Sequence, residues 1–108
     1  MSTDTPVLDT IVDITTASIE HNSVSPRDFM LARLAALIAV DAPPASYLAN
    51  APAAERAGLT AKDIEGIMIA IAPVVGTPRV VAAAGHILRA LGFAIAVADA
   101  EMAEQADV

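Results

Sequence analysis

Between Gly58 and Arg79 the chain carries a helix stop, a helix start, an apolar run and a second start, and this leaves little choice of fold. Gly58 ends one helix, because only glycine takes the left-handed C′ conformation at no steric cost. Thr60 opens the next. Its hydroxyl can accept the amide of Asp63 while the Asp63 carboxylate reaches back to the Thr60 amide, a capping box with Asp in place of Glu or Gln. Ile64, Ile67, Met68, Ile69 and Ile71 then cover nearly every side of a helix over 61–74, which reads as a buried element. Pro73 bends its end. Gly76-Thr77-Pro78 starts a further helix, with Thr77 as N-cap and Pro78 at the first helical position, where a missing N–H costs nothing.

The flanking chain uses the same devices. Leu8, Ile11, Val12, Thr15 and Ile19 recur at spacings of three and four and predict a helix over 5–21, with Pro6 in its first turn. Ser25, Pro26 and Asp28 open a second helix over about 26–40, striped by Met30, Leu31, Leu34, Leu37 and Ile38 and stopped before Pro43-Pro44. A third runs from there to Gly58, with Pro52 expected to kink or divide it. A fifth spans 78–91 and stops at Gly92; an alanine-rich sixth follows over about 93–104. No stretch alternates with period two over a useful length, so the expectation is one all-α domain over 1–108, of about six helices.

The hydrophobic share is 56 % with only 3 % aromatic, more Ala, Val, Ile and Leu than one small domain can hide. Burial between copies of the chain is the outlet this predicts, hence a homo-oligomer. A membrane span is excluded, since it needs about 18 or more uncharged apolar residues, and the longest uncharged runs, 42–54 and 66–78, contain prolines. Met-Ser-Thr-Asp-Thr-Pro lacks the basic and apolar regions of a signal peptide, so a cytoplasmic location is expected. The net charge of −7 is concentrated in acidic segments at both ends, 1–20 and 99–108, with all six Lys and Arg between them. Nucleic acid is therefore an unfavourable partner, and the acidic ends read as solubilising.

The segment Gly58-Leu59-Thr60, two residues, then Asp63-Ile64, the apolar helix and Gly76-x-Pro78 resemble the core of the carboxymuconolactone decarboxylase family, which includes the alkylhydroperoxidase D-like proteins. Ser25-Pro26-Arg27-Asp28 and the helix after it are similar to the family's preceding helix, so the likeness covers roughly 25–92. It implies the alkylhydroperoxidase D-like helical fold and a homo-oligomer. In the family's peroxidase branch a Cys-x-x-Cys pair followed by His lies on the helix before the Gly-Leu-Thr segment. Those positions fall near Pro43, Ser46 and Asn50 here, and the family glutamate falls near Met30. The chain has no cysteine. Thiol peroxidase chemistry is thus excluded, because nothing can cycle between thiol and disulfide.

The resemblance also implies a thiol-independent alternative, a decarboxylase or lyase acting on a small carboxylated, lactone-like metabolite. Such a reaction needs a cationic site and a general acid or base. Arg79, His86 and Arg89 fall at steps of seven and three, within an arc of about 80° on a helical wheel, with Ala82, Ala83 and Gly85 beside them and Val80, Ala84, Ile87, Leu88 and Leu91 on the opposite, core-facing side. They could grip a small anionic metabolite, with His86 as the catalytic proton donor. Equally, the stripe could be a solvated or interface face paired with Asp9, Asp13 or Glu20. Tyr47 and Asn50 could line the pocket, or Tyr47 could be a core residue with a bonded hydroxyl. Two histidines without motif spacing predict no metal site, and no cofactor is called for. The balance of these readings is an oligomeric binding or assembly module without peroxidase activity.

Overall fold

The computed structural model describes residues 4–106, which form five α-helices and no strand. They are α1 (Pro6–His21), α2 (Pro26–Ala39), α3 (Pro44–Arg56), α4 (Ala61–Val75) and α5 (Thr77–Ala106). The all-α architecture is as the sequence predicts. The first three helices begin on proline. α2 is capped by Ser25, whose side chain accepts the Asp28 amide at 3.1 Å. α4 carries the complete Thr60/Asp63 capping box.

Two of the corners are Schellman motifs, in which a left-handed residue lets its own amide and the next one turn back onto the last helical carbonyls. After α3 the residue is Gly58 at φ 82°, with Gly58 N–H donating to Glu55 O and Leu59 N–H to Ala54 O. After α2 the same geometry falls on Asp41 at φ 58°, with Asp41 N–H donating to Ile38 O and Ala42 N–H to Leu37 O. The third corner is a single residue. Gly76 closes α4 through its amide to Ala72 O and also accepts the Val80 amide on its carbonyl. Thr77, expected as the N-cap, is therefore already the first residue of α5.

Two further expectations are corrected. Pro52 does not divide α3, which is continuous past it. Gly92 does not stop a helix: the expected fifth and sixth helices are one, α5, of 30 residues. Glycine lowers helix stability by only about 1 kcal/mol, and the alanine-rich flanks of Gly92 outweigh that.

α2 packs on α3, α4 and α5, and α5 also lies on α3 and α4. The α2 stripe Met30, Leu34, Ile38 forms the centre, closed by Tyr47 and Ala54 of α3, Ile67 of α4, and Ala83 and Ala90 of α5. Only the Ile67 side of α4 is buried. Ile69 is 68 % exposed, so the expected all-round burial of α4 is not achieved within one chain. α5 also turns differently from expectation. Ala83, placed beside the cationic stripe, is 1 % exposed, whereas Leu88, assigned to the core, faces outward. Among the described residues, α1 packs on none of the other helices and has no buried residue. The described side chains of α5 from Leu91 onward are exposed as well. Among the described residues no helix is long and apolar enough to cross a membrane.

One ion pair ties the start of α2 to the α3–α4 corner. Arg27 meets Asp63 in a two-pronged contact, Nη2 to Oδ1 at 2.6 Å and Nη1 to Oδ2 at 3.1 Å, with Nη1 also 3.4 Å from Gly58 O. The Arg27 hydrogen bonds, then the Thr60 amide, hold the Asp63 carboxyl well below the usual carboxylate range. A depressed carboxylate contributes stability that is present above its unfolded pKa and is lost as pH falls, because the unfolded chain then binds the proton first. Thermal midpoints should accordingly fall below about pH 4, and less steeply in Asp63→Asn. An unchanged acid limb in that variant would show that the pair does not stabilise the corner.

Candidate functional site

The inner faces of α2, α3, α4 and α5 do not close completely. They leave a cleft of about 300 Å³, at the small end of ligand sites. Leu34 and Ile38 of α2, Leu48 and Ala54 of α3, Ile64 of α4, and Ile87, Ala90 and Leu91 of α5 make it apolar. Small residues account for the gap: Ala51, Ala54 and Ala90 stand where larger side chains would fill it.

Four polar residues line this cleft: Tyr47, Asn50, Glu55 and Thr60. The Thr60 hydroxyl is held in the capping box. Asn50 donates from Nδ2 to Ser46 O at 2.8 Å and accepts from Arg33 at 3.4 Å; the Arg33 guanidinium lies 4.7 Å from the centre of the Phe29 ring. Glu55 is exposed. Tyr47 is 5 % exposed, and its hydroxyl has no protein partner. A buried hydroxyl left unpaired costs about 1–3 kcal/mol. Burial, and then the nearby Asp41 charge, pushes its pKa up, so the phenol stays neutral and able to donate. The bonded hydroxyl expected of a core tyrosine is thus missing.

The cationic stripe lies elsewhere. Arg79 donates to Ala39 O at 3.2 Å, and His86 Nδ1 is 3.0 Å from Ala42 O. A carbonyl only accepts, so Nδ1 carries the proton in this contact. Arg79 therefore serves the C-terminal end of α2, where the helix dipole favours a cation, and His86 serves the corner that follows it. Asp41 Oδ1 is 3.9 Å from the same His86 nitrogen. Arg89 is exposed, and none of the three belongs to the cleft lining. Of the five candidates, Tyr47 and Asn50 come together at the cleft; Arg79 and His86 come together at the α2 end. Sequence reasoning missed the apolar lining residues and Asp41. A residue other than glycine or asparagine at a C′ position gives little local signal.

The family model for carboxymuconolactone decarboxylases matches residues 5–89. The chain belongs to the carboxymuconolactone decarboxylase family. The match takes in α1, which the resemblance over 25–92 had left out. Comparison with curated proteins and with solved structures returned no match. This member of the carboxymuconolactone decarboxylase family has no cysteine. The positions to which the resemblance assigns the peroxidase-branch ligands lie on or beside α3: Pro43 is its N-cap, Ser46 is in its first turn, and Asn50 borders the cleft. Met30, at the glutamate position, is buried in the core. No group of three or more His, Cys, Asp or Glu among the described residues could hold a metal ion.

Proposed function

We propose that this family member is a homo-oligomeric binding or assembly module that works without thiol chemistry. The observation that carries the reading is the character of the cleft on α3: it keeps a ligand-sized space, has no sulfur, and has no cation in its lining. The decarboxylase or lyase alternative has less support. It needs a cation for the substrate carboxylate, and Arg79 and His86 are engaged with the carbonyls of Ala39, the last residue of α2, and Ala42, in the corner after it.

Assembly is supported by surface area. The chain exposes 7529 Å², against roughly 5,600 Å² for a compact monomer of its 11.0 kDa mass. The surplus, about 1,900 Å², is roughly twice the ~800 Å² per partner that a standard stable interface removes from water. Its radius of gyration of 15.9 Å likewise exceeds the roughly 13 Å of a compact chain of this length. Val7, Leu8, Ile11, Val12 and Ile14 of α1 are each more than half exposed.

Two measurements on the purified protein test the proposal. Size exclusion coupled to light scattering should give a multiple of the 11.0 kDa chain mass. Peroxide with a dithiol reductant, and a carboxylated lactone, should both go unconsumed beyond the rate without protein. A well-folded monomer removes the assembly half, and turnover that is lost on heating removes the non-catalytic half.

A further inference from the structure

The lining of the cleft restricts what can enter it. A carboxylate would surrender its hydration to apolar walls that offer no cation, with the exposed Glu55 carboxylate as the one charged lining group. A wholly apolar molecule would fit the walls but leave the Tyr47 hydroxyl as it is, buried and without a protein partner. Thr60 and Asn50 already have their bonds, which leaves that hydroxyl as the buried polar group still able to orient an occupant.

We infer that the cleft binds a small uncharged molecule, apolar over most of its surface, whose single hydrogen-bond acceptor takes the bond that the Tyr47 hydroxyl offers. The inference rests on the binding-module reading above and names the ligand class for it. The hydroxyl is closed off from water as the cleft stands, so the bond forms with a small turn of the phenol or of the side chains covering it. Recognition by one buried donor discriminates against molecules that lack an acceptor, and desolvation discriminates against anions.

Acetophenone, benzoate and toluene are probes of similar girth that differ in these two properties. Titrated into the full chain and followed through the methyl resonances of Ile64 and Ile87, acetophenone should saturate and bind about tenfold more tightly than benzoate. Tyr47→Phe should weaken acetophenone about five- to tenfold and leave toluene unchanged. Ala51→Phe, which fills the cleft from its exposed edge, should abolish the shifts for both, with folding checked by circular dichroism. Benzoate binding as tightly as acetophenone rejects the ligand class and leaves the binding module standing. An acetophenone affinity unaltered in Tyr47→Phe rejects the role of the hydroxyl. If none of the three probes saturates, the cleft is not a small-molecule site, and the assembly reading is decided by light scattering alone. Heat-sensitive turnover in the assays above rejects the module itself, whatever the probes do.

Discussion

Ile38→Ala should lower the free energy of unfolding by about 2–5 kcal/mol, the range for truncating a buried aliphatic side chain. Ile38 is 1 % exposed and is the largest side chain so completely enclosed among the described residues. It stands in the α2 stripe that α3 and α5 close over, and it also forms part of the cleft wall. Truncation would therefore enlarge a space that the fold already leaves unfilled. The cost is the lost transfer energy plus a cavity contribution that grows with residual volume. Urea denaturation at fixed protein concentration measures it, as a lower midpoint with an unchanged slope. A loss below about 1 kcal/mol would mean that α2 is not the centre of the core.

Gly76→Ala should cost about 1–3 kcal/mol for a reason unrelated to packing. Gly76 sits at φ 92°, ψ 149°, a region in which residues with a Cβ are strained. A methyl group there would meet nothing closer than Pro78 Cδ at 3.9 Å, so the penalty is torsional. Gly92→Ala should have the opposite sign, a gain of up to about 1 kcal/mol, because Gly92 is interior to α5 and its Cβ position is open. The pair of variants separates two readings of the C-terminal third. If α5 broke at Gly92 in a left-handed stop, both substitutions would destabilise, and thermal melts would show it directly.

Much of the fold was legible in the sequence because helix ends are decided locally. Ser25 with Asp28, Thr60 with Asp63, and Gly58 each act within a few residues, and each does in the structure what its neighbours predict. Gly92 misled because glycine stops a helix only where the chain has reason to turn, and nothing after it requires one. The candidate site was legible in part. The helical wheel correctly placed Arg79 and His86 on one side of α5. Their partners, Ala39 and Ala42, lie 40 and 44 residues away and bond through backbone carbonyls, which carry no sequence signal. The partners of Arg27, the Gly58 carbonyl and the Asp63 carboxylate, were hidden by their distance along the chain, 31 and 36 residues away. The cleft was less legible still, since it is an absence of side-chain volume at Ala51, Ala54 and Ala90, and alanine reads the same whether it faces a void or a neighbour.

α1 has a thermodynamic consequence of its own. A 16-residue helix that packs on none of the other helices among the described residues is marginal in water, because the cost of nucleating it is barely repaid by its own hydrogen bonds. Its valine, leucine and isoleucine face can be sheltered by another copy of the chain, and shelter of that kind obeys mass action. In the proposed homo-oligomer, secondary structure in this segment would be a function of protein concentration: dilution should melt α1 by removing its cover, while the helices around α2 keep their own core and remain folded.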